Sequence, residues 1–282
     1  MIGRRLIVCA DDFGIDEAVN EAVELAHRDG ILTCTSLMMG EKAVDDAVAR
    51  ARRLPRLAIG LHITLTAGHA VLPPNEIPSL VDTRGRFDDN MARAGMRYFF
   101  LPHVRRQLKA EIRAQFEAFH KTGLTLDHVN AHRHFHLHPT LAKLILAIGN
   151  DYGIKAMRVP FEPASVLRRA APGEYISTPI YMPWVKFMAS RLRKTGMIIN
   201  DNVFGLQWSG AMTEDRLLSI LEHLPAGLSE LYLHPATSST DRLKSLMPGY
   251  QHVGEYLALT SPAVRKAVGD RGIKLVSYGH AA

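Results

Sequence analysis

Two cysteines in 282 residues are too few for a disulfide framework. Both, Cys9 and Cys34, stand inside apolar strand-like runs and read as small buried hydrophobes, which fits a reducing compartment. No apolar run reaches the ~18 residues of a membrane span. The start, Met1-Ile2-Gly3-Arg4-Arg5 and a short apolar run closed by two aspartates, lacks the apolar region and cleavage site of a secretory signal, so the expected location is cytoplasmic. Internal repeats and low-complexity tracts are missing. Dense Lys/Arg clusters interleaved with stacking aromatics are missing as well, so a nucleic-acid partner is not expected. The formal charge of +6 is a moderate excess that favours anionic neighbours or simply solubilises the chain.

What is present is an ordinary globular balance, 47% hydrophobic and 22% charged, over a length that suits one large α/β domain. Apolar runs of strand length alternate with stretches of helical period. Strands are expected at 6–10, 31–39, 57–65, 124–132, 155–159 and 229–234, with helices at 16–28, 42–53, 104–120, 140–152 and 213–223. Strands separated by helices argue for a parallel sheet with right-handed crossovers. This number of units in a single domain, 1–282, favours a distorted TIM-like (β/α) barrel over an open doubly wound sheet. Two proline-bearing excursions, 66–102 and 161–202, interrupt the pattern. Loops of that length in a compact domain commonly act as lids or binding loops, and either is compatible with a homodimer face.

Four strands end in, or carry, a metal-capable or acid-base side chain in an apolar setting, and barrel enzymes place their chemistry at strand C-terminal ends. Asp11 and Asp12 close the first strand, His62 lies near the end of the third, His132 ends the fourth and His234 closes a late one. Either aspartate could instead cap the following helix. Adjacent strand residues face opposite ways unless the chain turns, so one carboxylate can bind metal while the other handles protons. In 58–63, Ala58, Gly60 and His62 share a face whose small residues leave room for an ion, although a lone strand histidine is commonly a hydrogen-bonded core residue. From His128 to His138 every even position is polar and five of the six are histidine; an extended chain would line them on one face. With same-face residues about 6.6 Å apart, one or two at most can reach one ion. The rest, including His134 and His136, would bind substrate or support the ligands. Two histidines and one aspartate suit Zn²⁺ or another borderline divalent ion and leave positions open for water and substrate. Such an ion would polarise a carbonyl, a nearby carboxylate would take a proton from water, and His234 is the candidate donor to an amide leaving group.

The motifs Ala10-Asp11-Asp12-Phe13-Gly14, Gly60-Leu61-His62, Asp127-His128-Val129-Asn130-Ala131-His132 and Leu233-His234-Pro235 resemble, in order, those of the YdjC/ChbG carbohydrate deacetylases. The stretches 98–102 and 204–213 resemble in particular the hopanoid-biosynthesis-associated branch, HpnK. That resemblance implies a TIM-like barrel, Asp12, His62 and His132 as ligands of one divalent ion (Zn preferred; Mg, Mn, Co or Ni compatible), Asp11 as base and His234 as acid. It implies Arg158 near the base and, with Glu162 after it, in a role of binding substrate or supporting the site from behind, although Arg158 could also form a surface ion pair. Many relatives carry Asp-Ser-His where this chain has Asn130-Ala131-His132, so an amide stands in place of a carboxylate that could orient a ligand. The implied substrate is an N-acetylglucosamine moiety, lipid-linked in the hopanoid branch. The mixture of aromatic, apolar and basic residues over 181–194 fits peripheral contact with the inner membrane face, or an ordinary packed amphipathic helix. Other readings are deacetylation of soluble chito-oligosaccharides, a metal-dependent sugar isomerase, a glycosidase with paired carboxylates, and a non-catalytic metal- or lipid-binding module.

Overall fold

The computed structural model describes residues 3–281; Met1, Ile2 and Ala282, and with them the first residues of the start read above as lacking a signal, lie outside the described residues. In chain order the elements are β1 (Arg4–Phe13), α1 (Glu17–Asp29), β2 (Cys34–Leu37), α2 (Val44–Arg52), β3 (Ala58–Ile63), α3 (Met91–Phe100), α4 (Pro102–Lys121), β4 (Leu126–Ala131), α5 (Pro139–Asp151), α6 (Ala164–Ala170), α7 (Met182–Lys194), β5 (Asn202–Phe204), α8 (Glu214–Glu222), β6 (Gly227–Leu233), α9 (Asp241–Leu246), α10 (His252–Thr260), α11 (Pro262–Asp270) and β7 (Lys274–Leu275).

These strands pair in parallel throughout, in the order β4-β3-β2-β1-β6-β5, with β7 added against β1. The result is the expected α/β fold, a curled parallel sheet of the distorted TIM-like kind. Alternation along β1 sorts its side chains: Leu6, Val8 and Ala10 join the larger apolar cluster with the helices. Ile7 and Cys9 join a smaller cluster inside the curve with Cys34, Val203 and Tyr232. Helices α4, α5 and α11 start with proline, whose missing N–H costs nothing at a first turn, and α1 is capped by Asp16, which accepts from Ala18 N–H.

The sequence pattern misses in three places. The strand expected at 155–159 makes only isolated bridges, Val129 with Met157 and Ala156 with Ile198. Phe161 C=O accepts from Val203 N–H, so this irregular segment spans the side of the sheet between β4 and β5. The excursions 66–102 and 161–202 are not bare loops, since they carry α3, and α6 with α7. The histidine tract is not extended either. Strand β4 stops at Ala131, and 132–137 is a tight 3-10-type turn in which Arg133 (φ 52°) and His134 (φ 54°) are left-handed. Alternation therefore ends where the turn begins, and the five histidines do not share one face.

Candidate active site

The register between β1 and β2 slips between Ala10 and Phe13, and Asp12 sits in the left-handed region at φ 65°. This bulge supplies the turn on which the reading of the Asp pair depended: both carboxylates face the mouth of the curled sheet. Since Asp16 caps α1, neither Asp11 nor Asp12 is spent on capping.

Asp12 Oδ1 lies 3.2 Å from His62 Nε2 and 3.0 Å from His132 Nδ1. All three residues are buried, and their three donor atoms lie within 4.8 Å of one another. Asp12 Oδ2 is a buried carboxylate oxygen without a hydrogen-bond partner among the described residues. Burial opposes the Asp12 charge, but the imidazoles of His132 and His62 more than offset it and hold the carboxyl well below its usual range. A compact set of two imidazoles and one carboxylate, with an unsatisfied oxygen, fits a divalent cation with positions left open.

His62 is aimed from behind. Its Nδ1 is 2.7 Å from Asn130 Oδ1 and 3.0 Å from Ser36 Oγ, so the Nδ1–H donates and Nε2 is presented to Asp12. Asn130, an amide and not a carboxylate, thus fixes the His62 ring through its side-chain oxygen. Asn130 Nδ2 also donates to Asp11 Oδ1 at 3.2 Å. The empty space that Gly60 leaves beside His62 is filled by the His128 ring, since a Cβ at Gly60 would stand 2.4 Å from His128 Cε1.

Asp11 is held by a buried guanidinium. Arg158 Nη2 is 2.8 Å from Asp11 Oδ1 and Nη1 is 2.5 Å from Oδ2, while Ser36 Oγ donates to Oδ1 at 2.9 Å. Burial raises the Asp11 pKa, but the charges of Arg158 and His62 overcome it and the carboxyl titrates far below its usual range. Arg158 is fully buried, so the surface ion pair is excluded. Its other edge pairs with Glu230, at 3.0 Å from Nε and 2.7 Å from Nη2.

These groups open into a cavity of about 200 Å³ lined by Asp11, His62, His132, Arg133, His134, Ser209, Tyr232, His234, Leu246, Met247, Pro248 and Tyr250. His234 thus joins the cluster from β6. Its backbone N–H donates to Glu255 Oε2, and its C=O accepts from His252 Nδ1 at 2.7 Å. Burial pushes the His234 pKa down to about 4, against the pull of Asp12 and Asp11, and among the described residues Nδ1 has no hydrogen-bond partner, with Glu255 Oε2 4.0 Å away. His134 lines the cavity with Nδ1 unpartnered. His136 lies behind it, hydrogen-bonded through Nε2 to Arg158 C=O at 3.1 Å. Glu162 is placed elsewhere: its carboxylate gathers the backbone N–H groups of Gly205, Leu206 and Gln207 at 2.8, 3.0 and 2.8 Å and so pins the segment after β5.

Sequence reasoning missed Ser36, Glu230, Ser209, Tyr232, Tyr250 and Glu255. Glu230 carried a signal, a carboxylate in the middle of an otherwise apolar strand, which demands a buried cation. Ser209 and Tyr250 carried none, because they are joined only by a tertiary hydrogen bond of 2.9 Å.

The family model for YdjC-like protein matches residues 5–270. A carbohydrate deacetylase of Brevibacillus brevis is 28% identical over 276 residues, 97% of this chain and 98% of its own. One from Geobacillus stearothermophilus is 28% identical over 277 residues, 98% of this chain and 97% of its own. A solved Enterococcus faecalis structure named for cellobiose-phosphate cleavage superposes with a TM-score of 0.75 at 27% identity, covering 98% of each chain.

Proposed function

This chain belongs to the YdjC-like family, and from that premise we propose that it is a metal-dependent carbohydrate deacetylase that hydrolyses the N-acetyl group of an amino sugar. The observation that carries the reading is the pair of neighbouring aspartates with separate partners beside one cavity: Asp11, which lines it, with a guanidinium, and Asp12 with two imidazoles that line it. Asp12, His62 and His132 would hold the ion, and their mixed N/O donors favour Zn²⁺. When bound, the ion supplies Lewis acidity to the amide carbonyl and makes attacking water more acidic.

The chain's own groups do the remaining work. Asp11, kept ionised by Arg158, accepts the proton of the attacking water through the oxygen edge that faces the cavity. That same pairing makes it a weak base, which suits a water already acidified. His234 rests neutral, so it donates to the departing amine only after gaining a proton, which the negative charge developing on the adjacent carbonyl oxygen encourages. Ser36 and Asn130 hold Asp11 and His62 in register with each other.

A lipid-linked N-acetylglucosaminyl substrate, as in the hopanoid branch, is supported by the exposed apolar side chains. Met96, Phe99 and Phe100 on α3 and Ile180, Tyr181 and Phe187 at α7 are all exposed. Both groups flank the turn that supplies His132: Phe99 packs on His138 at 6.2 Å and Trp184 Nε1 donates to Leu137 C=O at 2.7 Å. Lys186, Arg191, Arg193 and Lys194 add positive charge along α7, as interfacial segments do. Among the described residues no helix is long and apolar enough to cross a membrane.

The test is acetate release from an N-acetylglucosaminyl hopanoid and from diacetylchitobiose, by the protein as purified, after chelation, and after Zn²⁺ is restored. Metal-dependent release, faster from the hopanoid, is expected. Release from diacetylchitobiose alone would remove the lipid substrate. Absence of release from both by folded, metal-loaded protein would overturn the deacetylase and favour an isomerase or a binding module.

A further inference from the structure

Deeper in the barrel than the carboxylates, Cys9, Cys34 and His128 bring two sulfurs and an imidazole nitrogen within 4.8 Å of one another. All three are buried, the cysteines completely, and none lines the catalytic cavity. We propose that they form a second metal site, for a thiophilic or borderline ion such as Zn²⁺, separate from Asp12, His62 and His132.

Four features beyond proximity point to it. Cys9 and Cys34 are direct register partners on the parallel strands β1 and β2, so their side chains leave the sheet on the same inward side. His128 is fixed from behind: Asp127 Oδ2 stands 3.0 Å from Nδ1, and Asp127 Oδ1 accepts from Gly279 N–H at 2.8 Å. That is the carboxylate–imidazole arrangement that fixes a ligating histidine, and it turns Nε2 toward the sulfurs. A thiol is a poor partner for a fully buried imidazole nitrogen, yet the Cys9 sulfur at 3.8 Å is the sole hydrogen-bond neighbour of that Nε2 among the described residues. Finally, the neighbouring strand makes room for the ring, because any Cβ at Gly60 would overlap it, and Tyr278 stacks on its face at 4.9 Å.

The dimensions agree with shared coordination. Zinc bonds of about 2.3 Å to sulfur and about 2.0–2.1 Å to nitrogen place two ligands of one ion roughly 3.6 Å apart at a tetrahedral angle and roughly 3.8 Å apart at a trigonal one. The Cys9–His128 separation is 3.8 Å. Charge agrees too: two thiolates and a divalent cation are neutral together, which a solvent-free interior requires. Enclosed and away from the cavity, such a site would be filled as the chain folds.

The experiment is to produce the protein with Co²⁺ in place of Zn²⁺ and to record the near-ultraviolet sulfur-to-cobalt charge-transfer absorption, with metal content measured by mass spectrometry. Asp12, His62 and His132 contain no sulfur and cannot give this band. Expected are the band and a second equivalent of metal in the wild type, both kept at this site in His132→Ala, and both lost from it in Cys9→Ser. Should Cys9→Ser fail to fold, the wild-type and His132→Ala spectra still decide. A cobalt-loaded wild type without the band, or a band that disappears in His132→Ala, would overturn the second site.

Discussion

The Arg158 guanidinium is shared between two carboxylates that would otherwise face each other in the barrel interior, one edge on Asp11 at 2.8 and 2.5 Å and the other on Glu230 at 2.7 and 3.0 Å. Such a pair ties stability to catalysis. Arg158→Met should cost about 3–5 kcal/mol, the range for stranding one side of a buried ion pair, read by urea denaturation. Because the folded Asp11 carboxyl is depressed, its contribution is fully present above the unfolded carboxylate pKa, about 4, and decays as the pH falls toward the folded value. Arg158→Lys keeps a charge but not the fork, so the acid limb of kcat/KM should move upward in pH. An unchanged profile in a folded Arg158→Lys protein would mean that Arg158 does not set the charge of Asp11.

The two aspartates should separate in metal analysis. Asp11→Asn keeps the Asp12, His62 and His132 set intact, so turnover should fall by about a thousandfold or more, on the order of losing a proton-transfer group together with its charge, while bound metal persists. Asp12→Asn and His132→Ala should lose both metal and activity. Loss of the ion from Asp11→Asn with retention in Asp12→Asn would exchange the two roles.

Much of this arrangement was legible because strand ends and alternation were. Asp11, Asp12, His62 and His234 each stood at or near the end of an apolar run, and the helices between them fixed the parallel order. What alternation could not reveal was its own interruption. The bulge at Asp12 and the left-handed Arg133 and His134 are backbone events that the residue types do not announce, and the second of these dissolved the extended histidine face. Segment 155–159 had the composition of a strand, but it meets β4 only at Val129 and on its other side only the irregular chain at Ile198, so it forms bridges only. Glu162 illustrates a further limit: expected with Arg158 to bind substrate or support the site, it uses its carboxylate on backbone N–H groups of a neighbouring loop, a contact that its residue type does not announce.

His136 should make the protein acid-sensitive in a way that one substitution can isolate. Burial and the nearby Arg158 charge push its pKa down to about 3. The unfolded imidazole titrates near 6.5, so below that pH the unfolded state takes a proton that the folded state refuses. Stability from this group is present above about 6.5 and is lost as the pH falls, by at most about 1.4 kcal/mol per pH unit. His136→Gln, whose Nε2 takes the place of the imidazole Nε2, retains a donor for Arg158 C=O but cannot titrate. Its stability relative to wild type should therefore rise steadily from pH 6.5 to 4.5 in parallel urea titrations. A constant difference across that range would show that His136 does not resist protonation in the fold.

Glu255 offers the sharpest test of how His234 is positioned. From α10 its buried carboxylate accepts the His234 N–H at 2.5 Å and the Met212 N–H at 2.9 Å, and it touches neither the cavity nor the proposed ligands. Burial raises its pKa to about 7, and the two N–H donors only partly offset that rise. Glu255→Gln preserves the volume but supplies one oxygen where two are used, so one backbone N–H is left facing an amide NH₂. The expected loss is about 1–3 kcal/mol, that of one unsatisfied buried donor. If the His234 backbone then shifts, kcat should fall about tenfold with KM and metal content near wild type, because the defect lies in proton delivery and not in binding. A purely structural role predicts lower stability with kcat intact, and that result would detach Glu255 from the placement of His234.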